Sequence, residues 1–188
     1  MKNLTSSLYS TEQTVFTIAE IGLLWKETQS KNLKSKIYYH TKSGLLTPLR
    51  RGIYALGKKE YNRFELANRI FTPSYVSLET ILAVEGVVFQ KNDAITSVSY
   101  QTRGVEVDNK KYSYRRINPE ILTNPLGITH NGSSTIATKE RAFLDSLYLN
   151  GRPYFDHLDN INWSLCRQIL PIYKNKQLEK RFSEYARH

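Results

Sequence analysis

Apolar residues recur at Ile18, Ile21, Leu24 and Trp25, the three-and-four spacing of one helix face. Thr17 stands at the N-cap position and Glu20 three residues further on, so each side chain can satisfy a backbone donor of the other. Phe16 and Ile21 can close a hydrophobic staple across that capping box. The polar run Lys26-Glu27-Thr28-Gln29 ends the helix. A second helix is predicted from Thr28 or Ser30 to Gly44, a usual residue just past a helix end. At about 100° per residue, Leu33, Ile37, His40 and Gly44 fall on one side of it. Lys31, Ser35, Tyr38 and Lys42 fall opposite, flanked by Lys34 and Tyr39. Two short strands are predicted next, Leu45–Leu49 and Ile53–Leu56, joined through Arg50-Arg51-Gly52. Pro48 requires the first of them to be an edge strand.

Beyond residue 60 the pattern alternates between helix and strand. Asn62–Phe71 has helical spacing and is closed by Pro73, and Ser77 is placed to cap a helix carrying Leu78, Ile81, Leu82 and Val84 up to Gly86. Ala94–Ser99 is predicted as a strand. Val105 and Val107 before Asp108-Asn109, with Tyr112 and Tyr114 after it, predict a hairpin. Thr135–Ala137 should run as a strand into a helix capped by Thr138, with Ala142, Phe143, Leu147 and Tyr148 as its packed face. After the break at Asn150-Gly151-Arg152-Pro153, helices are expected over Asn162–Leu170 and Lys174–Arg187. The expected fold class is α+β. Residues 1–58 form a winged helix-turn-helix, and residues 59–188 a mixed α/β domain with a small, mainly antiparallel sheet.

Composition supports a folded chain: of 188 residues, 40% are hydrophobic and 23% charged, as in ordinary globular proteins. The 27 Lys and Arg against 17 Asp and Glu leave a formal charge of +10, which favours polyanionic partners. Residues 28–59 carry Lys31, Lys34, Lys36, Lys42, Arg50, Arg51, Lys58 and Lys59 with no acid among them. Ammonium groups pair with phosphates, and serine and tyrosine hydroxyls can bond phosphates or base edges. Lys31, Lys34, Ser35, Tyr38, Tyr39, Lys42, Arg50 and Arg51 are therefore the candidate contacts to double-stranded DNA. Arg103, Lys110, Lys111, Arg115 and Arg116, around the hairpin, form a second candidate anionic contact or a charge-protected strand edge.

Other chemistry is sparse. The single cysteine, Cys166, excludes an internal disulfide and a multi-cysteine zinc site, and its helical setting suggests a buried thiol. His40, His130, His157 and His188 lack metal-ligand spacing, and His40 lies on the packed helix side. Phosphate-cradle and hydrolase-elbow motifs do not occur. Asp93 with Asp108-Asn109-Lys110 loosely matches a metal-dependent nuclease, although Asp-Asn between two alternating segments is ordinary turn chemistry. No catalytic activity, cofactor or metal is expected. The amino terminus lacks a signal-peptide core, and no apolar run approaches the ~20 residues of a membrane span. A soluble cytoplasmic protein with no membrane partner is expected.

Three segments carry a resemblance. Arg50-Arg51-Gly52-Ile53-Tyr54-Ala55-Leu56 resembles the wing of the AbiEi family of antitoxins. Leu66–Thr80, with its Pro-Ser-Tyr-Val-Ser-Leu-Glu run, and Ile136–Asp145 are similar to two later motifs of that family, in the same order. The resemblance covers roughly residues 10–150 and departs at Lys139, where proline is expected, and at Gly86-Val87. It implies a type IV antitoxin that represses its own operon through the winged helix; for the DNA-binding face read from the residues, two copies on an inverted repeat are the natural arrangement. It also implies that residues 59–188 counter a nucleotidyltransferase toxin without requiring a stable complex. A plain regulator with a sensing or partner-binding second domain is the alternative.

Overall fold

The hydroxyl of Thr17 accepts the Glu20 amide at 3.2 Å, and the Glu20 carboxylate accepts the Thr17 amide at 2.8 Å, completing the predicted capping box. The computed structural model describes residues 4–57, 60–90 and 93–186. Its contacts divide the chain into Met1–Ile70 with Gly132–Ser134, and Phe71–Asn131 with Thr135–His188. The expected boundary at 58/59 falls on Lys58 and Lys59, outside the described residues. The architecture is mixed α+β.

The first unit runs α1 (Leu4–Tyr9), β1 (Val15–Thr17), α2 (Ile18–Leu24), α3 (Ser30–Lys42), β2 (Leu46–Arg50), β3 (Ile53–Leu56) and α4 (Arg63–Ile70). Its three-stranded sheet has the order β1-β3-β2, both pairs antiparallel. Pro48 lies on the edge strand β2, where a missing amide breaks no ladder. Strand β1 is new relative to the sequence pattern, since three residues are too few to show alternation. Leu8, Phe16, Ile21, Trp25, Leu33, Ile37, Leu46 and Leu56 form one core, which unites the staple residues with the apolar side of α3. Helix α4 belongs to this unit because Glu65 accepts the Thr14 amide and hydroxyl at 2.9 and 2.7 Å, and Arg69 pairs with Glu20 at 2.9 Å.

The second unit continues with β4 (Ser74–Val76), α5 (Glu79–Val84), β5 (Ala94–Ser99), β6 (Arg103–Val107), β7 (Lys110–Arg116), α6 (Pro119–Leu122), β8 (Ile128–Asn131), β9 (Ser134–Ala137) and α7 (Lys139–Asn150). It closes with α8 (Trp163–Ile169), a 3-10 turn (Leu170–Tyr173) and α9 (Lys176–Tyr185). The sheet order is β6-β7-β5-β4-β9-β8. This corrects the expected small, mainly antiparallel sheet: it has six strands and is mixed, with β5–β7 and β4–β9 parallel, β4–β5 and β6–β7 antiparallel. After Ser99 the chain skips one position to the edge, and the hairpin then returns β7 beside β5. Its turn is the expected one, with Asp108 and Asn109 at φ of 52° and 55°, the left-handed pair of a two-residue hairpin loop. Ser77 does not cap α5. Leu78 holds the N-cap at φ 57°, and the Thr80 amide bonds the Thr96 hydroxyl at 3.0 Å.

Ser77 instead belongs to a buried polar centre. Helix α7 is buried from Glu140 to Leu147, charged residues included, rather than along one apolar stripe. Phe143 packs its ring against Phe155, Trp163 and Tyr185 at centroid distances of 4.8, 5.8 and 5.9 Å. On another side Asp145 accepts hydroxyls from Ser77 (2.8 Å), Tyr173 (2.6 Å) and Tyr75 (3.3 Å). The Arg141 guanidinium donates to the carbonyls of Leu126 and Ile121, each at 2.7 Å, and lies 3.4 Å from Asp145. Both members of this pair are 0% exposed. Burial pushes the Asp145 carboxyl above its ordinary range, while Arg141 and the three hydroxyls pull it back. Leaving one charge of such a pair unpaired costs about 3–5 kcal/mol. Arg141→Met or Asp145→Leu in a Trp25→Phe background, where Trp163 reports on this unit, should lower its stability in urea by about that amount. A loss under about 1 kcal/mol would show that the pair does not organise this core.

Candidate nucleic-acid interface

The rotational setting of α3 decides what it presents to solvent. Leu33 and Ile37 are buried against α2 and the small sheet, at 8% and 4% exposure. The approach to α2 is close: a Cβ on Gly22 would stand 3.0 Å from the Leu33 side chain, which would have to shift to admit it. Between the helices Lys26 adopts φ 53°, and the Glu27 amide bonds the Gly22 carbonyl at 2.9 Å. At the far end of α3 the Leu45 amide bonds the His40 carbonyl at 2.9 Å, terminating the helix near Gly44 as expected.

With that side buried, Lys31, Lys34, Ser35, Tyr38, Tyr39 and Lys42 are all exposed. Tyr38 and Tyr39 stand at 66% and 67% exposure, unusual for rings that carry no solvent-facing role in packing. Lys42 lies over the Tyr38 ring at 5.6 Å, and Tyr39 meets His40 edge-on at 5.4 Å. His40 packs on Trp25 at 5.0 Å, and burial lowers its pKa, which disfavours its charged form. The Ser35 hydroxyl donates back to the Lys31 carbonyl at 3.1 Å, and the residue is exposed.

The second part of the surface is the β2–β3 connection. Arg50 and Arg51 are both exposed there. Gly52 follows at φ 80°, and its carbonyl accepts the Ile18 amide at 3.0 Å, which anchors the turn to the start of α2. The register shifts between Pro48 and Arg50, a bulge that re-aims the side chains at the strand end.

Two features escaped the sequence pattern. Glu27, just before the acid-free stretch, bonds Lys36 and the Gln29 amide, so its charge is committed to the entry of α3. Gln29, the N-cap, makes no side-chain bond to the helix backbone; its Oε1 accepts the Asn32 side-chain amide nitrogen at 2.8 Å. The three-residue spacing of Gln29 and Asn32 was the only available signal.

The second candidate cluster does not form one surface. Arg103 pairs across from Tyr114, and Lys110 and Arg116 share the Tyr112 and Tyr114 face of β7, whereas Lys111 and Arg115 point to the opposite face. Arg115 is also engaged with Asn150 at 3.0 Å. Asp93 and Asp108 are exposed, and no group of three or more His, Cys, Asp or Glu gathers among the described residues. Cys166 is buried, and burial pushes its thiol up to about 12. No described helix is long and apolar enough to cross a membrane. Compared with models of known protein families and with curated proteins, the chain matches none.

The Glu27 contacts make a pH prediction. Its bonds to Lys36 and to the Gln29 amide hold its folded pKa below the ordinary value. A carboxylate depressed in this way adds stability above its unfolded pKa, and that stability is lost as pH falls through the folded one. Carboxyl NMR titration of the full chain should place Glu27 below the usual glutamate range, and Lys36→Ala should move it upward. An unchanged titration in that variant would dissolve the link.

Proposed function

We propose that the first unit is a winged helix-turn-helix that binds double-stranded DNA, and that the protein is a repressor of its own operon and an antitoxin. The observation that carries the DNA-binding part is the division of α3 into a side buried through Leu33 and Ile37 and an exposed side bearing Lys31, Lys34, Ser35, Tyr38, Tyr39 and Lys42. The element order β1-α2-α3-β2-β3, with β1 pairing β3 and arginines at the β2–β3 turn, agrees with a winged-helix arrangement. In it α3 enters the major groove, where side chains near its start meet base edges, and Arg50 and Arg51 take phosphates or the minor groove. Two copies on an inverted repeat would match the twofold symmetry of such an operator.

The antitoxin part rests on the resemblance of residues 50–56, 66–80 and 136–145 to the AbiEi motifs. In that reading the second unit counters a nucleotidyltransferase toxin without catalysis and without a required stable complex. A nucleotidyltransferase reading frame directly downstream supports it. Its absence favours a plain regulator with a sensing second domain.

Each lysine or arginine that neutralises a phosphate adds about 0.9 to the salt dependence of binding. Lys31→Ala and Arg51→Ala should each weaken duplex binding on all sequences and lower the slope of log affinity against log salt by about one. Tyr38→Ala should change sequence preference instead. Equal affinities for wild type, Lys31→Ala and Arg51→Ala across the salt titration would remove the proposed face. For the antitoxin part, co-expression with the downstream toxin should restore growth, and failure of the intact chain to do so would retire that role.

A further inference from the structure

The geometry points to Asn32 as the residue that reads adenine in the major groove, with Gln29 as its positioning residue; this assignment rests on the DNA-binding reading above. An asparagine amide matches adenine because its oxygen accepts from N6 while one N–H donates to N7. Two conditions must hold for a side chain to do this. It must lie exposed near the start of the inserted helix, and its amide plane must be held before the base arrives. Asn32 is exposed in the first turn of α3. One of its two N–H groups is taken by Gln29 Oε1 at 2.8 Å. That bond restrains the amide group and leaves Oδ1 as an acceptor and the other N–H as a donor, the two kinds of group adenine requires.

The support continues behind Gln29. Its side chain makes no capping bond, while its amide is held by Glu27 Oε1 at 3.1 Å, and the other Glu27 oxygen is held by Lys36. An acid beside a cationic face is thereby neutralised and used to set the start of the helix. Competing readers on this face are poorer. The hydroxyl proton of Ser35 is spent on the Lys31 carbonyl, so Ser35 only accepts. Lys31 and Lys34 carry flexible point charges, suited to phosphates or guanine and not to adenine. Preordering also reduces the rotamer entropy lost on binding.

Selection of duplexes from a random library by the full-length protein tests this. Wild type should enrich a motif containing adenine at one position per half-site. Asn32→Ala should keep the rest of the motif and the salt slope but lose the preference for adenine there by about 5- to 150-fold. Gln29→Ala should weaken the same preference less, again at constant salt slope, whereas a general structural defect would lower affinity at every position. A wild-type motif that Asn32→Ala leaves unchanged, or one without adenine at any position the variant alters, overturns the assignment and leaves the DNA-binding reading standing. Failure of wild type to enrich any motif overturns that reading and the assignment with it.

Discussion

The burial of Leu33 and Ile37 is the constraint on which the functional surface depends. Two apolar side chains, four residues apart, must leave water, and they join an apolar core built from α2, the small sheet and Leu8 of α1. Once they are seated, the helix cannot rotate, and everything on its other side is committed to solvent. Gly22 permits the close approach, and the capping box with its staple fixes where α2 begins. A cationic, hydroxyl-bearing face follows from apolar packing and not from any attraction among the polar groups themselves.

The second unit is organised by the opposite device, a charged pair inside the core. Tyr75 and Ser77, in and just after β4, bond Asp145 of α7, and Arg141 closes the arrangement on two backbone carbonyls. The polar side chains of these two segments are thus spent on one another. Their chemistry is enclosed, since neither Arg141 nor Asp145 reaches solvent. Such a pair fixes where α7 sits on the sheet, because any shift would strand a charge. Contacts of this unit with a partner must therefore come from other side chains.

Much of both units was legible where the signals are local. The capping box at Thr17 and Glu20, the end of α3 near Gly44, the two-residue hairpin at Asp108-Asn109 and the cap at Thr138 each involve residues within a few positions of one another. What was missed needs distant partners. Strand β1 exists because Val15–Thr17 finds β3 some forty residues later, and α4 joins the first unit through Thr14 and Glu20. The parallel pairings of the larger sheet depend on a strand that skips its neighbour. Ser77 falls one residue before the N-cap, which Leu78 holds, and its hydroxyl donates to Asp145 at 2.8 Å, a partner 68 residues away. On the candidate face, exposure of the eight predicted contacts followed from helical periodicity and the turn. Asn32 carries no signal in the sequence because a lone polar residue on a lysine-rich face makes no pattern, and the Gln29 bond is what singles it out.

Backbone amide chemical-shift mapping of the isotopically labelled full chain, titrated with a short duplex at low salt, asks whether α3 and the β2–β3 turn meet DNA. The largest shifts should fall on residues 30–42 and 50–52, leaving the surroundings of Arg141 and Asp145 unmoved. Shifts confined to residues 103–116, or no shift on α3 at saturating duplex, would contradict that contact.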